Sequence, residues 1–375
     1  LFVTEREQQI LAILRDEPLI AQQVLADRLG ISRPAVAGHI MNLTQKGHIL
    51  GKGYVLADSR FVLVLGGANM DISGTTGHPL VVGDSNPGRI RCAPGGVARN
   101  VAENLARLGH DTRLLTAVGD DLYGRSLLES THKAGVDVRG CWVLAGEVSS
   151  TYLSLHGPDG DMAVAVNDMR ILAMITPERL AVHTDRVRHA AALVVDCNLT
   201  EAALAWLFSQ CNATPVFVDC VSAFKCQRIA PWLGRVHTLK VNRLEAQALS
   251  GLETDTDTGI EAVARWLHAQ GVQQVVVSLG ERGVYWSGSG QPDGAGWQAA
   301  LAADVVSVTG AGDALMAGLV HGFLNHQALS EAVLFSLACA ALTVGSELAN
   351  HPSLSVVSVE QLLRTNPVND TTPTR

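Results

Sequence analysis

The chain has 375 residues, 47% hydrophobic and 17% charged, which excludes a disordered protein and leaves room for one large α/β domain plus a small appendage. Its 28 basic and 36 acidic side chains give a net charge of −8, which argues against nucleic-acid binding by the whole molecule and leaves only a local basic patch open. The seven cysteines contain no C-x-x-C pair, no apolar run reaches the roughly 20 residues that span a bilayer, and the first residues do not read as a signal peptide; reduced thiols and a cytoplasmic location are expected.

Thr4 offers a helix N-cap, with Glu7 three residues on to complete a capping box, and Ile10, Leu11 and Leu14 follow at helical spacing. After Pro18 a second helix is predicted over Ala21 to Leu29, with Val24, Leu25 and Leu29 inward. Gly30-Ile31 makes a turn, and Ser32 caps a third helix to about Gln45, with Pro34 tolerated in its first turn. Gly47 to Leu56 alternates like a short hairpin. Residues 1–57 therefore resemble a winged helix-turn-helix module, whose third helix would enter a DNA groove. Residues 31–53 hold Arg33, Lys46 and Lys52 and no acid. Ser32, Arg33, His39, Lys46 and Lys52 are the candidate DNA contacts. Three charges support weak, salt-sensitive binding, so a dimer presenting two modules is expected.

Residues 58–365 change architecture. Apolar runs at Phe61–Leu65, Leu114–Val118, Leu193–Asp196, Val216–Asp219, Thr238–Val241 and Val275–Ser278 alternate with helical patterns. This predicts an open, mostly parallel sheet covered by helices on both faces, with its site at the C-terminal ends of the strands. Residues 72–93 and 141–166 are two-sided and polar and read as a small β lid, whose edges and faces a homodimer would hide. Residues 366–375 read as a flexible tail.

Five motifs carry chemistry. Asn69 and Asp71 end the first strand two residues apart, placed to hold vicinal hydroxyls. Gly95-Gly96 precede a helix carrying Asn100, and paired glycines let a flat ligand approach the backbone. Asn242 and Glu245 follow Lys240 on one helix face, where a carboxylate near phosphate suits Mg²⁺ held through water. Ser278-Leu279-Gly280-Glu281-Arg282-Gly283 makes a turn suited to a nucleotide. Last, a strand-like run Val305–Val308 leads into Thr309-Gly310-Ala311-Gly312-Asp313, where glycine amides at a helix start can hold an anion and Asp313 can take a proton from an attacking hydroxyl.

These boxes, in this order over about residues 60–362, resemble the ribokinase-like (PfkB) carbohydrate kinase family. Thr151–Leu155 and Val166–Met169 look most like its pseudouridine kinases. The resemblance implies a ribokinase-like fold and ATP- and Mg²⁺-dependent phosphorylation of a primary hydroxyl. It makes Asp313 the base and Gly310, Ala311 and Gly312 the anion hole. Asn69, Asp71, Gly95, Gly96 and Asn100 would hold the sugar, with Tyr152, Asn167 and Asp168 closing from the lid. Lys240, Asn242, Glu245, Ser278, Gly280 and Gly283 would serve ATP, with Asn242 and Glu245 also serving Mg²⁺. A K⁺ site would draw on Ser307, Thr309 and Ser353, but this chain carries Ser307-Val308 where many members have Asp-Thr, which removes a charge there. The alternatives are a kinase for another ribonucleoside, ribose or a fructose derivative, or a transcriptional regulator that senses such a ligand. No G-x-G-x-x-G turn follows an early strand, and Gly47–Gly53 is one residue short of a P-loop.

Overall fold

Thr4 caps the first helix reciprocally: its N–H donates to the Glu7 carboxylate at 2.7 Å and its hydroxyl accepts from the Glu7 N–H. The computed structural model describes residues 3–50, 60–211, 213–289 and 294–366, and the chain divides into two units, Leu1–Arg60 and Phe61–Arg375. In the first, α1 (Glu5–Asp16), α2 (Gln22–Leu29) and α3 (Arg33–Gln45) bury Ile10, Leu14, Leu25, Val36 and Leu43 together. Gly30 ends α2 at φ +63°, a left-handed cap that suits glycine. Val24, expected inward, is exposed, and Ala26 is buried beside Leu25 instead. Most of the expected hairpin (51–56), the following residues 57–59 and the tail 367–375 lie outside the described residues.

The second unit contains β1 (Val62–Leu65), β2 (Asn69–Thr76), β3 (Gly88–Gly95), β4 (Thr112–Leu115), β5 (Ala117–Gly119), β6 (Trp142–Leu144), β7 (Thr151–His156), β8 (Met162–Asp168), β9 (Ala192–Asp196), β10 (Val216–Asp219), β11 (Thr238–Asn242), β12 (Gln274–Ser278), β13 (Val284–Gly288) and β14 (Ala295–Gln298). Eight form one sheet in the order β14-β13-β12-β11-β10-β9-β1-β4, parallel from β12 to β4 and antiparallel at the β13–β14 edge. The continuous apolar runs of the parallel strands are explained by burial on both faces. Val62, Val64, Val194 and Phe217 pack under the helices Val97–Arg107, Ala311–Leu324 and Leu329–Val344. Leu63, Leu65, Val195 and Val218 pack under Glu201–Gln210, Arg243–Ser250 and Asp257–Ala269.

A second sheet, β3-β2-β7-β8, forms the lid. It departs from the predicted bounds. The segment 141–166 divides: Trp142–Leu144 pairs in parallel with β5 because the Trp142 N–H donates to Thr116 O at 2.9 Å, and only β7 and β8 join the lid. The predicted strand Leu114–Val118 likewise breaks at Thr116 into β4 and β5. Val305–Val308 is not a strand. Its valines are exposed, and the Val306 and Ser307 N–H groups both donate to the single carbonyl of Val344, which leaves no ladder. No helix among the described residues is long and apolar enough to cross a membrane.

Candidate active site

The sheet register assembles the site. Asp196 pairs across with Asp219, and Asp219 with Lys240, so three ionisable side chains stand in one row at the C-terminal ends of β9, β10 and β11. Lys240 is buried and donates to Asp219 Oδ2 at 2.8 Å. Burial opposes its charge, but Asp219, Glu245 and Asp313 outweigh burial and hold the ammonium above its ordinary range. It is buried rather than a surface cap.

Over this row begins the helix Ala311–Leu324. Gly310 caps it at φ +84°, and a Cβ there would collide with Ala349 O, so only glycine fits. A Cβ on Gly312 would lie 2.7 Å from Lys240 Nζ, so the ammonium and the first amides of the helix converge on one place. Asp313 stands beside them, buried, and accepts from Asn100 Nδ2 at 2.6 Å. Burial and the charge of Asp219 push its carboxyl up to about 7 against the pull of Lys240 and Asn100. A carboxyl poised near neutrality, aimed at an anion hole, can take a proton from a hydroxyl.

A second cluster of polar side chains lies where β2 meets β3. Asn69 Nδ2 donates to Asp71 Oδ1 at 2.5 Å, and the Asp71 carboxylate rests on the bare Cα of Gly95. Burial raises the Asp71 pKa, partly offset by Asn69. Gly96, at φ +100°, lies against the Gly67 and Ala68 backbone, where a Cβ would be 2.6 Å from Gly67 O. Across the lid, Asp71 pairs with Tyr152 and Tyr152 with Asn167, so these three share one face. Asp168 does not join them. It pairs with Thr151, and Thr151 with the buried Met70, on the opposite face, because side chains alternate along a strand. There it binds Arg170 at 2.6 Å, and those hydrogen bonds lower its pKa to about 2.

A cavity of about 460 Å³ is lined by Asn242, Arg243, Leu244, Asp255, Ser278, Leu279, Gly280 and Arg282. Asn242 and Glu245 do not simply share a helix face. They form a capping box, with the Asn242 N–H donating to Glu245 Oε2 at 2.8 Å and the Glu245 N–H to Asn242 Oδ1 at 2.9 Å. Burial, followed by the charge of Asp219, raises the Glu245 pKa, while Lys240 and the Asn242 N–H pull it down. Gly283 is outside the cavity lining; at φ +88° it lies under the Gln298 carbonyl of β14, where a Cβ would collide. Among the expected K⁺ residues, Ser307 Oγ accepts from the Thr309 N–H at 3.2 Å, and the exposed Ser353 donates its N–H to His351 Nδ1 at 3.2 Å.

Sequence reading missed Asp196, Asp219, Asn198, Lys225, Arg99 and Asn350. Asp196 accepts from the N–H groups of Gly67 at 2.8 Å, Asn198 at 2.9 Å and Ala98 at 3.1 Å, tying β1 to β9. Lys225 donates to Asn198 Oδ1 at 2.7 Å. The signal available for the first two was an Asp closing each of two consecutive buried strands. Nothing local marked the others.

In the first unit, the Ser32 hydroxyl caps α3 by accepting from the Ala35 N–H, Arg33 is exposed and His39 half-buried. Lys46 binds the buried Glu7 at 2.7 Å, which balances one of the three local charges. Lys52 lies outside the described residues.

A family model described as pfkB family carbohydrate kinase matches residues 59–355. The chain belongs to the pfkB family. Like the members of this family, it is an ATP-dependent kinase acting on a sugar or nucleoside hydroxyl. A winged helix-turn-helix DNA-binding model matches residues 4–49. The chain is 44% identical to a protein named sugar kinase YeiI of Escherichia coli (strain K12), over 94% of this chain and 97% of that one. It is equally 44% identical to a pseudouridine kinase of the same organism, over 82% of this chain and 98% of the relative. The ribokinase of Arabidopsis thaliana complexed with ribose and ATP superposes with a TM-score of 0.71 at 22% identity, over 82% of this chain and 99% of that one, which shows the ribokinase-like fold.

Proposed function

We propose that this pfkB kinase transfers the γ-phosphoryl group of ATP to the primary 5′-type hydroxyl of a nucleoside, pseudouridine first. The observation that carries this reading is Asp313, buried and held by Asn100 beside the glycine amides and Lys240. The identity to a pseudouridine kinase over nearly all of that protein supports the substrate. Asn69, Asp71, Gly95, Gly96 and Asn100 hold the sugar, while Tyr152 and Asn167 face it from the lid. Asp313 takes the hydroxyl proton. The amides of Gly310, Ala311 and Gly312, with Lys240, receive the negative charge that moves during transfer. Asn242, Ser278 and Gly280 border the nucleotide.

Asp219, Glu245 and Asp313 place three buried carboxylates around Lys240, the one buried ammonium among the described residues; no group of three or more His, Cys, Asp or Glu among the described residues is arranged to hold a metal ion, so Mg²⁺ would take most of its ligands from phosphate and water. Mg²⁺, when bound through Glu245 and Asn242, would neutralise phosphate charge. Ser307, Thr309 and Ser353 bring no carboxylate, so no K⁺ requirement is included.

A panel of nucleosides and simple sugars with Mg-ATP tests the substrate. Turnover of pseudouridine is expected; turnover of simple sugars alone would overturn it. The match over residues 4–49 favours a second, coexisting role, DNA binding through α3 with Arg33 and His39. The outer lid face carries Ile90, Leu153, Val164 and Val166, all exposed, and supports a homodimer with a second copy covering that face.

A further inference from the structure

Asn100 can hold Asp313 only if its amide faces the right way, since a flipped amide would present an oxygen to a carboxylate. Two buried residues decide this. Arg99 Nη2 donates to Asn100 Oδ1, which leaves Nδ2 for Asp313. The same guanidinium donates to Gly95 O at 3.0 Å through Nε and to Glu103 at 2.6 Å. Asn350 closes the arrangement. Its Oδ1 accepts from Arg99 Nη2 at 2.5 Å, while its Nδ2 donates to the Asn100 carbonyl at 2.8 Å and to Asn104 Oδ1 at 2.9 Å. Its neighbour Ala349 is the residue whose carbonyl abuts Gly310. One two-residue segment thus touches both the cap of the anion-hole helix and the partner of its carboxylate.

The geometry points to Asn350 as a positioning residue that acts through Arg99 and Asn100 to keep an amide donor on Asp313. This rests on Asp313 being the base. The polar and charged groups around Asp313 are Asp196 on β9, Asp219 on β10, Lys240 on β11 and Asn100, with Arg99 and Glu103 behind it on the helix Val97–Arg107. The helix Leu329–Val344, packed alongside, carries one charged residue, Glu331, which caps its own N-terminus. Of these groups, Lys240 and the Asn100 donor favour the ionised carboxylate, and only the Asn100 donor depends on Asn350.

The test is the pH profile of kcat/KM for Asn350→Ala, with Asp313→Asn as reference. In Asn350→Ala, kcat falls about 10-fold while KM for ATP stays put, because losing one oriented hydrogen bond costs on that order. The acidic limb also moves to higher pH, because the carboxylate has lost a donor that favours its charge. Asn350→Ser, neutral and too short to hold Arg99 and Asn104 together, gives the same upward shift and serves if the alanine variant does not fold. A limb that stays in place in a folded variant, whether or not kcat falls, overturns the proposal. If Asp313→Asn is inactive while the Asn350 variants keep the wild-type profile, only the positioning role fails; if Asp313→Asn is active, the base assignment fails with it.

Discussion

Asp313 shows how burial and function pull against each other at one residue. Its carboxyl, ordinarily at 3.8, is held at about 7 in the folded protein by burial and then by Asp219. The folded state therefore binds this proton more tightly than the unfolded chain does. Its stabilising contribution is complete below the ordinary value, declines as pH rises and is gone above about 7. Two outcomes follow. For the free enzyme, kcat/KM rises with pH through about 7, the pKa of the base. Asp313→Asn loses roughly 10²–10⁴-fold in turnover, yet its melting temperature relative to wild type climbs between pH 5.5 and pH 8. A melting difference that does not change with pH would contradict the burial of this charge. Gly312→Ala should displace Lys240 from the helix start and lower kcat by about 100-fold, with the fold retained because the flexible ammonium end can move aside. Circular dichroism alongside an ATP-coupled assay checks both halves.

Elements differ in how readily sequence revealed them. The parallel strands were legible because apolar runs of four or five residues ending in Asp or Gly have few other uses, and the capping residues Thr4 and Ser32 marked helix starts by simple chemistry. Val305–Val308 looked identical to those runs and is not a strand: its valines are exposed, and the Val306 and Ser307 N–H groups go to the Val344 carbonyl instead of a neighbouring strand. Asp168 was misplaced for a related reason: which face it occupies depends on pairing between β7 and β8, which no single strand encodes. Arg99 and Asn350 are separated by 251 positions, and their relation to Asn100 appears only after folding. At this scale the lid makes its own prediction. Val166 is exposed on the outer face, so Val166→Lys should leave the monomer folded and shift sedimentation from dimer to monomer. An unchanged mass would remove this face as the interface.

At the level of the whole molecule, the two units match separate families. The acidic balance of the chain, −8 overall, means that any DNA binding must come from the small face around α3. With Lys46 committed to Glu7, that face is less basic than its composition suggested. Binding in a gel shift should therefore be weak and fall only about 10-fold between 50 and 200 mM salt, as about two phosphate contacts would give, and Arg33→Ala should reduce it while leaving turnover of the nucleoside unchanged. A loss of turnover in that variant would tie the units together functionally.

The lid sheet has a polar surface of Asp71, Tyr152, Asn167, Ser73 and Ser154 and an apolar one of Ile72, Leu153, Val166, Leu155 and Val164, drawn from alternate positions of the same strands. Ligand choice and assembly are thus written in interleaved letters, and drift at one set leaves the other legible. Inserting a single residue within β2 would exchange the two alphabets downstream of it, so length change in this family branch should be confined to the connections, such as 77–87, and be absent from the strands.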